Sequence, residues 1–198
     1  MASANDRRAA RHEESSAAII DAAWRLVEQH GVAGLSVGAL ANAMEMRPQS
    51  LYHYFRSKEA IYDRMYREGF EELLERVAGI DASDEAAKVL TALAEAFVDF
   101  AGELPSRYQL LFQRTVPGFE PSAESFEVSK RTLDEMRMRV RRVGITAERD
   151  IDLWRALLVG LAGEQLANDP GGRRWRQLAR DAAEYFATYA DHRKAGRA

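Results

Sequence analysis

The residues best suited to chemistry lie in one short run, Arg47-Pro48-Gln49-Ser50-Leu51-Tyr52-His53-Tyr54-Phe55. Leu51 and Phe55 are its plain hydrophobes, and they fall one turn apart if the run is helical after Pro48. Gln49, Tyr52, His53 and Arg56 then share the opposite face at i, i+3, i+4 and i+7. A solvent stripe is ordinarily built from Glu, Asp and Lys. This one offers an amide, a phenol, an imidazole and a guanidinium, groups that hydrogen-bond base edges and phosphates. Just before it, Val37, Leu40, Ala41 and Met44 form another apolar stripe, with Ser36 placed to cap it. Two short helices joined tightly near Glu45 and Met46 make a helix-turn-helix, whose second helix enters the major groove.

Other chemistries find no constellation. The 198 residues contain no cysteine, which removes disulfides, thiolate metal sites and thiol nucleophiles. His12, His30 and His192 are scattered, with no two at ligand spacing on one helix, so no metal site is expected. Asp134 with Glu135, and Glu124 with Glu127, read as solvated helix faces rather than acid/base pairs. A Gly-rich phosphate loop and a GxSxG elbow are both missing, so neither a catalytic residue nor a cofactor is expected. The net charge of −3 argues against a chain coated in nucleic acid, but a binding face needs only a local basic patch, such as Arg7, Arg8 and Arg11. A polar start and the lack of a long apolar run point to a soluble, cytoplasmic protein without membrane contact.

The elements that position these residues read as helices nearly throughout, giving an all-α fold of about nine helices. Ile20, Ala23, Trp24 and Val27 recur at helical spacing and stop at Gly31. Pro48 suits the first position of a short third helix, and Ser57 caps a fourth that carries Ile61 and Met65. A break over Gly79–Ser83 precedes a fifth helix from Asp84 to about Ala101, and Pro105 opens a sixth. The two Pro and the Gly of Thr115–Ser122 predict a loop, either a lid or a plain surface connection. A long amphipathic helix then runs to Gly144, Thr146 caps the next to Ala167, and a last helix spans about Arg173–Ala190 after Asn168–Gly172.

The segment Ala17–Met65, above all Leu51-Tyr52-His53-Tyr54-Phe55-Arg56-Ser57-Lys58-Glu59-Ala60-Ile61, resembles the N-terminal domain of the TetR (AcrR-like) transcriptional regulators. The resemblance implies a DNA-binding domain over 1–57 with a three-helix helix-turn-helix, and a helical ligand-binding and dimerisation domain over 58–198; the Arg7, Arg8 and Arg11 arm before the helix-turn-helix is read from charge alone as a phosphate or minor-groove contact. By the same resemblance Arg47, Pro48, Gln49 and Ser50 approach bases, and Tyr52, His53 and Tyr54 contact phosphates and bases, although core packing is an equal reading for Tyr54. Ser36, with the backbone of Val37 and Gly38, would hold phosphate at a helix N-terminus, and Lys58 would hold another. One departure stands out: Glu45 occupies the turn position where the family usually has Gly.

The large residues Phe97, Phe100, Tyr108, Phe112, Met136, Trp154 and Tyr185 are mostly expected in the core. The resemblance implies a cavity among the middle helices, with the first six as candidate lining. Ala156, Gly160, Gly163 and Ala167 share one face of the eighth helix, and helix-interior glycine costs about 1 kcal/mol relative to alanine. Such a face fits close approach of another helix, either within the subunit or across a two-fold axis. The preferred arrangement is a homodimeric four-helix bundle, with Trp175, Leu178, Ala182, Phe186 and Tyr189 supplying the ninth helix's stripe. The whole reads as a homodimeric repressor released from a near-palindromic double-stranded DNA operator by a small-molecule effector. The alternative is an all-α small-molecule binder or enzyme that does not touch DNA.

Overall fold

A computed structural model describes residues 4–82 and 85–195. It contains nine α-helices and no strand among the described residues: α1 (Ala4–His30), α2 (Val37–Ala43), α3 (Pro48–Leu51), α4 (Lys58–Ala78), α5 (Ala86–Glu103), α6 (Pro105–Phe112), α7 (Ala123–Arg142), α8 (Glu148–Asn168) and α9 (Arg174–Ala195). The expected all-α architecture is therefore observed. Ser83 and Asp84, the expected end of the break and start of the fifth helix, lie outside the described residues. Two local expectations are corrected. Arg7, Arg8 and Arg11 lie in exposed opening turns of α1 rather than in a separate arm, because the segment is rich in helix-forming Ala, Arg and Glu and has no Gly or Pro. Thr146 does not cap α8; Ala147 stands at the boundary and makes no side-chain cap bond.

The chain's contacts cluster into two compact units. The first holds residues 1–69 and 106–126. Ile19, Ile20, Trp24 and Val27 of α1 are buried, as are Leu40, Leu51, Ile61 and Met65 of the same unit. α1 stops at Gly31, whose φ of 76° suits glycine, and a 3-10 turn at Val32–Gly34 follows. The Tyr62 hydroxyl of α4 donates to the Val32 carbonyl at 2.7 Å, and burial raises its pKa above 10.0, with Glu59 adding to the effect. Ser106 of α6 donates to the Val27 carbonyl at 3.3 Å, which also accepts from the Gly31 N–H at 2.9 Å at the end of α1. Because Tyr62, Met65 and Ser106 belong with α1, the compact units do not divide at 57/58. Gly69 marks where α4 meets α6: a Cβ there would lie 2.7 Å from Leu111 Cδ1.

The second unit holds residues 70–105 and 127–198, with α5, α8 and α9 packed together. The buried face of α9 is mostly small, with Ala179, Ala183 and Ala190 around Phe186. Arg139 and Gln165 are among its buried polar residues, and both are hydrogen-bonded. Arg139 of α7 donates to the carbonyls of Ala78 at 2.9 Å and Ile80 at 3.2 Å, and pairs with Glu135, so a cation closes the end of α4. Gln165 of α8 accepts from the N–H groups of Trp175 and Arg176 at 3.1 Å, and Asp169 accepts from that of Arg174 at 2.7 Å. The Asn168–Gly172 connection is thus stapled to the start of α9.

Candidate nucleic-acid interface

The α2–turn–α3 unit is fixed by backbone bonds that follow from its sequence. The Ser36 hydroxyl accepts from the Ala39 N–H at 3.1 Å, the N-cap expected of it. At the other end of α2, the Met46 N–H reaches the Ala41 carbonyl at 2.9 Å and the Glu45 N–H reaches Asn42 at 3.1 Å. This pair of bonds is the Schellman closure, which requires a left-handed residue between helix and turn. Glu45 is that residue, with φ 52°. The turn keeps its geometry despite the side chain, at a strain of about 1 kcal/mol or somewhat more.

Pro48 opens α3 at N1, where its missing N–H leaves no bond unmade. Leu51 is buried and anchors the helix, while Arg47, Pro48, Gln49, Tyr52 and His53 are exposed and Ser50 is half-buried. Tyr52 is 50% exposed, high for an aromatic with no solvent-facing role. Arg56 is exposed too, but α3 ends at Leu51, so Arg56 belongs to the following bend and not to one helical stripe with Gln49. Tyr54 is half-buried, its ring 5.0 Å from that of His12. Near the phosphate positions implied by the resemblance, Val37 is half-buried and Gly38 exposed.

α4 begins with Lys58, whose ammonium lies 5.4 Å from the Tyr62 ring centroid. Ser57 caps the helix by accepting from the Ala60 N–H at 3.3 Å. Glu59's carboxyl sits below the ordinary glutamate value because its own backbone N–H and the Ser57 hydroxyl donate to it. Arg64 of α4 joins Glu13 of α1 at 2.7 Å and Glu68 at 2.8 Å. His12 and Glu13, to which the sequence assigns no role, thus tie the basic opening turns of α1 to Tyr54 after α3 and to α4 respectively. No local pattern marks these contacts, since their partners are distant in the chain.

Phe97, Phe100, Tyr108, Met136 and Trp154 are buried core, and Phe112 is half-buried with its ring 5.4 Å from Tyr108. Trp154 packs on Phe186 at 5.1 Å.

On the α8–α9 surface, Ala156, Gly160 and Ala167 are exposed and Gly163 is half-buried. A Cβ at Gly160 or Gly163 would meet nothing within 4 Å, so packing inside the subunit does not require either glycine. Leu178 is exposed, while Trp175, Ala182 and Tyr189 are half-buried. Phe186 is 5% exposed and serves mainly the chain's own core. Tyr185, expected in the core, is instead 78% exposed. Leu153, also exposed, joins the same surface, and its pairing with Leu157 at i+4 is the signal in the sequence that marks it.

No group of three or more His, Cys, Asp or Glu among the described residues could hold a metal, and no helix among them is long and apolar enough to cross a membrane.

Comparison with known proteins agrees with this geometry. A regulator of Bacillus subtilis described as the uncharacterized HTH-type transcriptional regulator YobS is 35% identical over 91 residues, 46% of this chain and 48% of its own length. The chain spans about half the length of the curated relatives it matches. Among solved structures, the TetR family transcriptional regulator PfmR of Thermus thermophilus aligns with a TM-score of 0.64 at 23% identity, over 86% of this chain and 97% of its own. AibR, solved with isovaleryl coenzyme A and operator DNA, aligns with a TM-score of 0.61 at 19% identity, over 87% and 96%. At such identities these structures share the fold. The family model for bacterial regulatory proteins of the tetR family matches residues 19–65, and that for the tetracyclin repressor-like C-terminal domain matches residues 90–192. With the second match alone spanning half of the chain, this protein belongs to the TetR family of transcriptional regulators.

Proposed function

We propose that this chain is a ligand-responsive, DNA-binding transcriptional regulator, a homodimeric repressor released from its operator by a small molecule. In this reading residues 1–57 bind DNA, residues 58–198 bind the effector and dimerise, and the protein works in the cytoplasm without enzymatic activity. The observation that carries the reading is α3 and the turn that follows it: Leu51 is buried while Gln49, Tyr52 and His53 are exposed. Gln49 reads base edges. Ser36, Lys58 and the phenol of Tyr52 bind phosphates, which position the helix without specifying sequence. AibR, solved in complex with isovaleryl coenzyme A and operator DNA, supports the reading that one chain of this fold can hold both a small molecule and an operator.

The α8–α9 surface supports the dimer. Its glycines face open space, and large apolar side chains beside them, Leu153, Leu178 and Tyr185, are exposed. Apolar area of this kind on one face marks an interaction surface. A two-fold pair then presents two α3 helices to half-sites about 34–36 Å apart, or multiples of that, on a near-palindromic operator. An effector that binds one spacing of the heads better than another shifts the dimer toward it, by as much as its affinities for the two states differ. The alternative, an all-α small-molecule binder or enzyme, leaves the exposed amide of Gln49, phenol of Tyr52 and imidazole of His53 without a role.

The test is a gel shift on the DNA flanking the protein's own coding sequence, with salt titrated. Specific complexes that weaken steeply with salt are expected. Tyr52→Phe and Lys58→Ala weaken binding on all sequences, whereas Gln49→Ala relaxes base preference. Equal loss on every operator variant for Gln49→Ala removes its role as a base reader, and no binding at any salt removes the regulator reading.

A further inference from the structure

We infer that the first compact unit carries a site for a monoanionic carboxylate with an apolar body. A cavity of about 400 Å³ lies there among α4, α6, the loop that follows α6 and the start of α7. Its size is that of a small-molecule site. Leu110, Leu111, Val116, Phe119 and Phe126 line it, enough apolar surface to hold an aromatic or branched hydrocarbon body.

The charged groups define the rest of the ligand. Arg114 lines the cavity and makes no ion pair among the described residues. Its backbone is left-handed, with φ 48°, a conformation that L side chains rarely adopt. A strained residue with an unpaired guanidinium at a cavity wall is a ready fork for a carboxylate, which it can bind bidentately. Glu120 lines the same cavity and likewise makes no ion pair among the described residues. Its negative charge opposes a second anionic group, so dianions and phosphate esters fit worse than a monocarboxylate. Tyr66 and Thr115 complete the polar lining.

Occupancy of this site acts on the helix that follows the DNA-reading segment. Asp63 of α4 accepts from the Ser122 N–H at 2.6 Å and from the hydroxyls of Ser122 and Ser125 at 2.9 Å. Arg67 pairs with Glu124 at 2.6 Å. The loop between α6 and α7 is therefore fastened to the first half of α4, and a ligand drawing Arg114 inward pulls on that attachment. Only this consequence at DNA rests on the regulator reading; the binding itself does not.

The experiment uses the full chain with 4-phenylbutanoate, its uncharged amide 4-phenylbutanamide and the dianion phenylsuccinate, read by calorimetry and thermal shift. The carboxylate is expected to bind and raise the melting temperature, with the amide and the dianion each weaker by roughly tenfold or more. Arg114→Gly removes the guanidinium and also relieves the left-handed strain, so it folds at least as well as the parent while losing carboxylate binding. Gly69→Ala, which must push the end of Leu111 aside, changes the affinity through the cavity wall. Equal binding of acid and amide, or full binding by Arg114→Gly, overturns the proposal, as does no binding of the carboxylate at millimolar concentration. Operator binding by the same preparation keeps the two readings apart: DNA binding without carboxylate binding defeats this site alone, and carboxylate binding without DNA binding defeats the regulator alone.

Discussion

Replacing Glu45 by Gly should stabilise the helix-turn-helix while removing a side chain that makes no ion pair among the described residues. Glu45 sits at φ 52° and is exposed. An L-residue in the left-handed region is destabilised by about 1–2 kcal/mol, because its Cβ crowds the following carbonyl. Glycine escapes that crowding but gives the unfolded chain more freedom, which takes back about 0.5–1 kcal/mol. The net gain is about 1 kcal/mol, or about 2–4 °C in melting temperature for a chain of this size. Glu45→Ala is the control, since it deletes the carboxylate and keeps the strain, and it should leave stability within about 0.5 kcal/mol of the parent.

Contacts cluster into two units, so a global melt need not be two-state, and the effect should also be read locally. The Met46 amide, bonded to the Ala41 carbonyl across the turn, should exchange more slowly in Glu45→Gly and not in Glu45→Ala. A glycine variant no more stable than the alanine one, with Met46 exchange unchanged, would refute the argument that this turn is strained by its side chain.

Other expectations follow from single contacts. Arg139→Met leaves the Ala78 and Ile80 carbonyls and the Glu135 carboxylate without their cation, so the second unit should lose about 3 kcal/mol in urea titration; a loss under about 1 kcal/mol contradicts the capping role. Gly172→Ala places a Cβ on the Asp169 carboxylate, which must leave the Arg174 N–H, and a destabilisation of about 1–2 kcal/mol is expected by the same assay. Gly160→Leu should leave the subunit folded, since its Cβ meets open space, yet yield monomers by sedimentation; an unaltered dimer moves the interface elsewhere. Tyr62 has its pKa raised above the unfolded value of 10.0, chiefly by burial, so the stability of its neutral form is complete below about pH 10 and is lost as pH rises through the folded pKa. Tyr62→Phe should therefore be less stable near neutral pH, for want of the Val32 hydrogen bond, but fall less steeply than the parent above about pH 10 in pH-dependent denaturation.

What the sequence reveals here depends on how far apart the cooperating residues lie. The Ser36 cap, the Pro48 start, the buried Leu51 and the strained Glu45 are all decided within one turn of chain, where helix geometry leaves few alternatives, and each stands as its local pattern implies. The same locality explains the errors. Arg56 follows Gln49 at perfect helical spacing, yet α3 stops at Leu51, because helix spacing in a sequence does not say where the helix ends. Tyr185 and Phe186 are adjacent, both aromatic and both on α9, but one is 78% and the other 5% exposed, a difference set by whether Trp154 lies opposite. Only tertiary packing supplies that partner. Arg114 and Asp63 make the point most sharply. In the sequence one is an ordinary loop residue and the other an ordinary helix acid. Each acquires a role only when the chain returns, bringing Ser122 and Ser125 to Asp63 and folding the loop around Arg114 into a cavity wall. The exposed Gln49, Tyr52 and His53 can be spelled out in consecutive residues because one short stretch of chain carries them. A cavity wall assembled from α4, α6, a loop and the start of α7 cannot, and so it must be sought in coordinates.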